Sequence, residues 1–70
     1  MTDTMTSPKL TKLQRVALLE IHRYTQRGLR YFWRIATMRS LVPLGYVEEI
    51  ASREFRLTAA GHVRAAELLS

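Results

Sequence analysis

The chain contains no cysteine among its 70 residues. Disulfide bridges and thiolate metal sites, which hold many domains of this size together, are therefore excluded. A chain this short buries only about 60% of the surface that its unfolded form exposes. Since 47% of the residues are hydrophobic and 24% are charged, the composition is that of a globular domain. We therefore expect one small domain that depends on a single apolar core.

Capping signals place the first helix. Thr11 and Gln14 fit a capping box, in which the threonine hydroxyl and the glutamine side chain each bind a backbone N–H of the first turn. Gly28 supplies a left-handed stop, so the helix is predicted between Thr11 and Gln26. A helical period of about 100° per residue gives this helix an inward stripe of Leu10, Leu13, Ala17, Ile21 and Tyr24.

Three elements are predicted after that stop. In residues 29–34, Leu29, Tyr31 and Trp33 fall on one side and Arg30, Phe32 and Arg34 on the other, which suits either a short strand or an irregular, compact turn packed by its own aromatic rings. Apolar residues at helical spacing predict a second helix over residues 35–44, and Pro43 loosens its last turn. Strand formers at 46–50 and 54–57 predict a tight hairpin.

A third helix closes the predicted domain. Thr58 fits its N-cap, and Gly61 fits a position of close packing in its first turn. The residues predicted to face inward are Ala59, Val63, Ala66 and Leu69. The fold class is therefore mainly α with a small β-hairpin, an α+β domain of three helices and a two- or three-stranded antiparallel wing. It is predicted over residues 10–70, after a flexible tail of residues 1–9.

The positive charge is concentrated in the first half of the chain. The net charge is +5, and between residues 9 and 39 eight lysines and arginines face a single acid, Glu20. Such a field favours a polyanion, either nucleic acid or an anionic membrane surface, because lysine and arginine neutralise phosphates and release counterions. The alternative is a solvated basic face that only maintains solubility.

The order of elements and three short segments resemble a winged helix-turn-helix DNA-binding domain. Residues 37–48, TMRSLVPLGYVE, are similar to a recognition helix that runs through a glycine stop into the first wing strand. Residues 55–61, FRLTAAG, resemble the strand and Leu-Thr-x-x-Gly junction of bacterial winged-helix regulators such as the multiple-antibiotic-resistance repressors. Leu10-Thr11 with Gln14 is similar to the opening of the SOS repressor's winged domain. The resemblance covers about residues 10–69.

This resemblance implies sequence-specific binding of double-stranded DNA, as in a bacterial or phage transcriptional regulator. The helix over residues 35–44 would enter the major groove, and the wing would reach the backbone or the minor groove. The DNA-binding candidates on the helix and wing are Arg34, Thr37, Arg39, Ser40, Arg53 and Arg56. Phosphate contacts are expected from Lys12, Arg15, Arg27, Arg30 and Arg34. A homodimer is compatible with the sequence, although no heptad or arm indicates one.

One departure from the family pattern concerns the helix that precedes the recognition helix. Only residues 29–44 lie between the two glycine stops, which is too short for two full helices and a turn. Either the preceding helix is reduced to a turn around Phe32 and Trp33, or the fold is a minimal variant without it.

Two other binding modes stay open. The run Tyr31-Phe32-Trp33 lies among three arginines, a combination that single-stranded nucleic acid platforms use for base stacking. We nevertheless expect Trp33 to be mostly buried, because small domains need large aromatic area in the core. A winged helix without DNA binding could instead dock to a protein, and Leu19 with exposed aromatic residues would then matter more than the arginines.

Catalytic, cofactor and membrane functions find no support in the sequence. Glu48 and Glu49 are adjacent on a predicted strand and point to opposite faces, so they do not form a catalytic pair. His22 and His62 have no nearby Cys or Asp, which disfavours a metal site, and no glycine-rich phosphate loop is present. No apolar run reaches the ~20 residues that span a bilayer. We expect a cytoplasmic, non-enzymatic protein without a cofactor.

Overall fold

A computed structural model of the protein describes residues 9–70. In chain order the elements are α1 (Lys12–Gln26), α2 (Ile35–Leu41), β1 (Val47–Ala51), β2 (Glu54–Leu57) and α3 (Ala59–Leu69). The strands form a two-stranded antiparallel hairpin, which confirms the predicted α+β class. The predicted tail, apart from Lys9, lies outside the described residues.

The caps of α1 are those that the sequence predicted, whereas its buried face is partly different. The hydroxyl of Thr11 accepts from the Gln14 backbone N–H at 3.1 Å, and the Gln14 side chain accepts from Thr11 N at 3.0 Å. Leu18 is fully buried, but Leu13, predicted on the inward stripe, is 61% exposed. The reason is tertiary: α1 packs against both α2 and α3, and α3 covers the side that carries Leu18 and His22.

The segment between α1 and α2 contains neither a strand nor a helix. Its only ladder contact is one isolated bridge, in which the Phe55 N–H donates to the Tyr31 carbonyl at 3.0 Å. Of the side predicted to carry Leu29, Tyr31 and Trp33, only Tyr31 is buried, whereas Leu29 and Trp33 are exposed. No helix therefore lies between α1 and α2, and residues 29–34 form an irregular segment.

The second helix is shorter than predicted and ends at Leu41 instead of Leu44. Pro43 has no N–H to donate to the carbonyl of Arg39, so the helix gives way to a turn over residues 42–45. Gly45 closes that turn with a φ of +84°, a value that suits glycine.

The hairpin begins one residue later than predicted and turns through Ser52 and Arg53. Arg53 has a φ of +63° in place of the glycine or asparagine that such turns favour. The Glu49 carboxylate accepts from the Arg53 backbone N–H at 3.0 Å and supports this turn. The register pairs Glu48 with Arg56 and shifts at a bulge between Glu49 and Ala51.

The third helix starts at the predicted cap but buries a different face. Thr58 accepts from the Gly61 backbone N–H at 3.0 Å. The predicted inward residues Val63 and Leu69 are 60% and 62% exposed, and Ala59 and Ala66 are also exposed, so that prediction is wrong. The buried positions of α3 are Gly61 and Ala65. Small residues face inward because Gly61 packs directly on the backbone of Tyr46.

Candidate nucleic-acid interface

The polar residues of α2 are committed to contacts within the protein. The Ser40 hydroxyl donates to the Thr37 carbonyl at 2.6 Å and accepts from Gln14 Nε2 of α1 at 3.1 Å. Thr37 is half-buried, while Ser40 and Arg39 are exposed. Of the three predicted base-contacting residues on this helix, Arg39 is therefore the one with a long, exposed side chain.

Carboxylates hold Arg39 of α2 and Arg56 of the hairpin, whereas the exposed Arg53 side chain forms no ion pair within residues 9–70. Arg39 donates through Nε and Nη2 to the two oxygens of Glu49, at 3.2 and 3.1 Å. Arg56 donates to one oxygen of Glu48 through the same two nitrogens, at 3.0 and 2.7 Å. Each pair is neutral as a unit. This face consequently attracts a polyanion at long range less than its arginines alone suggest.

Arg30 and Arg34, on either side of the aromatic run, differ in how closely a carboxylate binds them. Arg34, which has a φ of +52°, donates from Nε to Glu20 Oε1 at 2.8 Å. Arg30 lies 3.8 Å from Glu54, and its side chain is 76% exposed. Arg30 and Glu54 line an open pocket of about 220 Å³ between residues 28–31 and the hairpin. Arg34 is thus fixed by a close ion pair, whereas Arg30 is available to solvent.

Glu20 is the centre of a small polar cluster beside α1. The Tyr31 hydroxyl donates to the same Glu20 oxygen that accepts from Arg34. The bond from Tyr31 lowers the pKa of Glu20 below its usual value, and Arg34 and Arg23 act in the same direction against partial burial. Burial, together with the bond to Glu20, raises the pKa of the Tyr31 hydroxyl. The single acid of the basic half is therefore ionised and turned towards α2.

Replacing Glu20 with glutamine should make the stability of the fold less dependent on acid pH. Because the folded pKa of Glu20 is depressed, its contribution is present above the unfolded value, near 4.5, and is lost as the pH falls through the folded pKa. At neutral pH we expect Glu20→Gln to cost about 1 kcal/mol, since a charge-assisted bond is lost at a partly exposed site. Urea unfolding at neutral and acid pH measures both effects.

The control for this variant is Glu48→Gln, which alters a more exposed pair with Arg56 across the hairpin. Exposed pairs contribute little, so this substitution should change the midpoint by less than Glu20→Gln at neutral pH. A stability deficit of Glu20→Gln that stays constant as the medium is acidified would contradict the assignment of Glu20.

Three cations occupy the outer face of α1, and a fourth, Arg27, continues this face at the C-cap. At about 100° per residue they cluster on the side of the helix opposite Ala17 and Ile21, which are buried. They are Lys12, Arg15, Arg23 and Arg27. All four are exposed, and none pairs with a carboxylate within residues 9–70. Helical rise spreads them over roughly 22 Å, and we call this set the α1 basic face.

Lys12, Arg15 and Arg27 were predicted from the sequence as phosphate contacts, whereas Arg23 was not. The carboxylates that neutralise the other arginines were also missed. A local signal existed for one of them, because Glu48 and Arg56 occupy opposed positions of a two-residue hairpin. No local signal joins Glu20 to Arg34 or Glu49 to Arg39, since these contacts depend on how the elements pack.

The aromatic run is not the core element that the sequence predicted. Tyr31 is buried, but Phe32 is 42% and Trp33 is 52% exposed, so the expectation of a mostly buried Trp33 is wrong. The ring of Trp33 packs against Tyr24 and Tyr31, with centroid distances of 5.5 and 5.8 Å. These two rings fill the available core space, and Trp33 is left to cover them from outside.

The structure places the two histidines and gives the lengths of the helices. His22 and His62, forty residues apart, meet at the seam of α1 and α3 with ring centroids 5.9 Å apart. Within the part of the chain that the structure describes, they belong to no cluster of three or more metal-ligating side chains. None of the helices found between residues 9 and 70 has the length and apolar character needed to cross a bilayer.

Relationships to known proteins do not extend these observations. Comparison of the chain with protein-family models, with curated proteins and with solved structures finds no match.

Proposed function

We propose that the protein binds double-stranded DNA and that the α1 basic face makes most of the phosphate contacts. One observation carries the proposal: four exposed cations share one side of α1 and its C-cap, with no carboxylate partner among residues 9–70. Regulation of transcription is the role that the winged-helix resemblance adds to this proposal.

The dimensions of the α1 basic face suit a duplex. Its length of roughly 22 Å exceeds the width of the major groove, about 12 Å, so its two ends can contact phosphates of both strands. The helix is rigid and its cations are already on one side. Little backbone entropy is therefore lost when they bind, and the attraction is independent of base sequence.

Sequence preference would come from α2, whose accessible cation is Arg39. To contact a guanine or a phosphate, Arg39 must exchange the Glu49 carboxylate for the DNA. Such an exchange leaves Glu49 near a polyanion, which is unfavourable. We therefore expect the affinity of this protein to be dominated by phosphate contacts, with a modest contribution from base contacts.

A salt titration of binding to random duplex DNA tests the proposal. The logarithm of the binding constant is plotted against the logarithm of the salt concentration. Phosphate contacts from the four residues of the α1 basic face predict a slope of about −3.6. The double variant Arg15→Gln/Arg23→Gln should reduce the magnitude of this slope by about 2 and weaken binding at least tenfold at low salt. Fluorescence anisotropy of a labelled duplex measures both quantities.

The matched control is Arg39→Gln/Arg56→Gln, which has the same net charge but alters the ion-paired face. We expect its slope to stay close to that of the parent protein. A control that loses as much affinity as the α1 variant would show that total charge, or the hairpin face, determines binding. Absence of duplex binding by the parent protein at low salt would overturn the proposal and favour a protein-docking role.

A further inference from the structure

The exposed rings of Phe32 and Trp33 form a second surface that duplex binding by α1 does not use. Their centroids are 6.0 Å apart, with the ring planes inclined by 65°. Trp33 rests on Tyr24, which lies on α1, and on the buried Tyr31, so its position is supported from below. We call Phe32 and Trp33 the aromatic pair. A tryptophan that is half exposed and yet supported by two other rings presents a fixed π-surface to solvent.

The charge around the aromatic pair is positive. Residues 27–34 contain three arginines and no acid. Arg27 forms no ion pair with residues 9–70, and Arg30 has only the distant partner Glu54, at 3.8 Å. Arg34 alone is neutralised at close range, by Glu20. Two of the three cations that flank the aromatic pair along the chain therefore lack close counterions.

We propose that the aromatic pair and the neighbouring Arg27 and Arg30 bind single-stranded nucleic acid, with an unpaired base stacked on Trp33. Every base offers a π-face to an aromatic side chain, and the adjoining phosphates can act as counterions of the two arginines. A protein partner could cover the same rings, but only an acidic one would satisfy the cations. Nucleic acid combines both chemistries in one ligand.

The two sites make separate demands on the nucleic acid. The α1 basic face requires phosphates held along the backbone of a rigid duplex. The aromatic pair instead requires an unpaired base that can stack on Trp33. Paired bases inside a duplex cannot reach Trp33. Arg27 belongs to both surfaces, whereas the aromatic pair serves only the single strand and Arg15 and Arg23 serve only the duplex. Substitutions of the aromatic pair should therefore weaken single-strand binding and leave duplex binding intact, and substitutions of Arg15 and Arg23 should have the opposite effect.

Trp33 is the only tryptophan in the chain, so intrinsic fluorescence reports on this position. We expect saturable quenching by an oligothymidylate of about 12 nucleotides, a length within the usual range of single-strand sites. A blunt duplex of the same length should bind without comparable quenching. An abasic oligomer with the same phosphates should bind more weakly and leave the fluorescence unchanged, because it has no base to stack.

Substitutions separate stacking from charge. Phe32→Ala removes the ring that contacts only Trp33 within the aromatic cluster, and we expect it to weaken oligothymidylate binding roughly tenfold while duplex binding stays constant. Trp33→Leu, followed by anisotropy of a labelled oligomer, should have at least the same effect. Val63→Ala truncates an equally exposed apolar residue on α3 and should change neither binding constant.

Three results would overturn the inference: no quenching by the single strand, equal quenching by the blunt duplex, or affinities for oligothymidylate that Phe32→Ala and Trp33→Leu leave unchanged. Circular dichroism of both variants establishes that the fold is intact. Loss of duplex binding in Arg15→Gln/Arg23→Gln bears only on the α1 basic face, so the two proposals are tested independently.

Discussion

Replacing Gly61 with alanine is expected to destabilise the fold by about 3 kcal/mol, a large part of the stability of a domain of this size. A Cβ atom at this position would lie 2.0 Å from the carbonyl oxygen of Tyr46 and 2.7 Å from Leu57 Cδ2. The nearest obstacle is backbone, and it is anchored, because that carbonyl accepts from the Thr58 N–H at 3.0 Å. Neither side can move without breaking the junction of β2 and α3.

Tertiary packing and local helix propensity predict opposite signs for the effect of Gly61→Ala on stability. Within a helix, alanine is more favourable than glycine by about 1 kcal/mol, so propensity alone predicts that Gly61→Ala stabilises the protein. The control is Gly28→Ala, where a Cβ meets no atom within 4 Å but φ is +69°, and where we expect a loss of about 1 kcal/mol. Urea unfolding monitored by circular dichroism measures both, and a rise in stability for Gly61→Ala would contradict the close packing.

The second large effect is expected for Tyr31→Ala, at about 3–5 kcal/mol. The Tyr31 side chain is 1% exposed, packs edge-to-face on Tyr24 with centroids 4.9 Å apart, and donates to Glu20. Truncation would therefore open a cavity under the aromatic pair and remove a bond to a carboxylate. In a protein of 70 residues a loss of this size leaves a large unfolded fraction at room temperature.

Tyr31→Phe separates the contribution of the hydroxyl to stability from that of the ring. It retains the ring and deletes only the hydroxyl, so we expect a loss of about 1.5 kcal/mol, together with a rise in the pKa of Glu20. Thermal unfolding ranks the three proteins, and NMR titration of the Glu20 carboxyl follows its pKa. If Tyr31→Ala proved no less stable than Tyr31→Phe, the ring would contribute nothing to the core.

The ion pairs alter how the basic sequence should be understood. From composition, eight cations against one acid in residues 9–39 suggest a uniformly positive half. In the folded protein, Glu49 from the hairpin neutralises Arg39, and Glu20 neutralises Arg34. Apart from Lys9 and Arg53, the cations of residues 9–70 without such partners lie on α1, at its C-cap and near the aromatic pair. The proposed duplex site therefore lies on the first helix more than on the second.

Helix boundaries that depend on neighbouring residues could be predicted from the amino-acid sequence. The capping box of Thr11 and the cap at Thr58 involve residues three apart, and the stop at Gly28 depends on a single backbone conformation. These interactions form within one turn and need no information from the rest of the chain. The order of helices and hairpin was predictable for the same reason.

The sides of the helices that face inward, and the charges that pair, depend on the packing of distant segments. Both α1 and α3 carry more than one apolar stripe, and Leu18 instead of Leu13, and Ala65 instead of Val63, are buried because of where the neighbouring elements lie. The exposure of Trp33 follows from Tyr24 and Tyr31 filling the space beneath it. Such outcomes depend on distances between residues far apart in the chain, which hydrophobic periodicity does not contain.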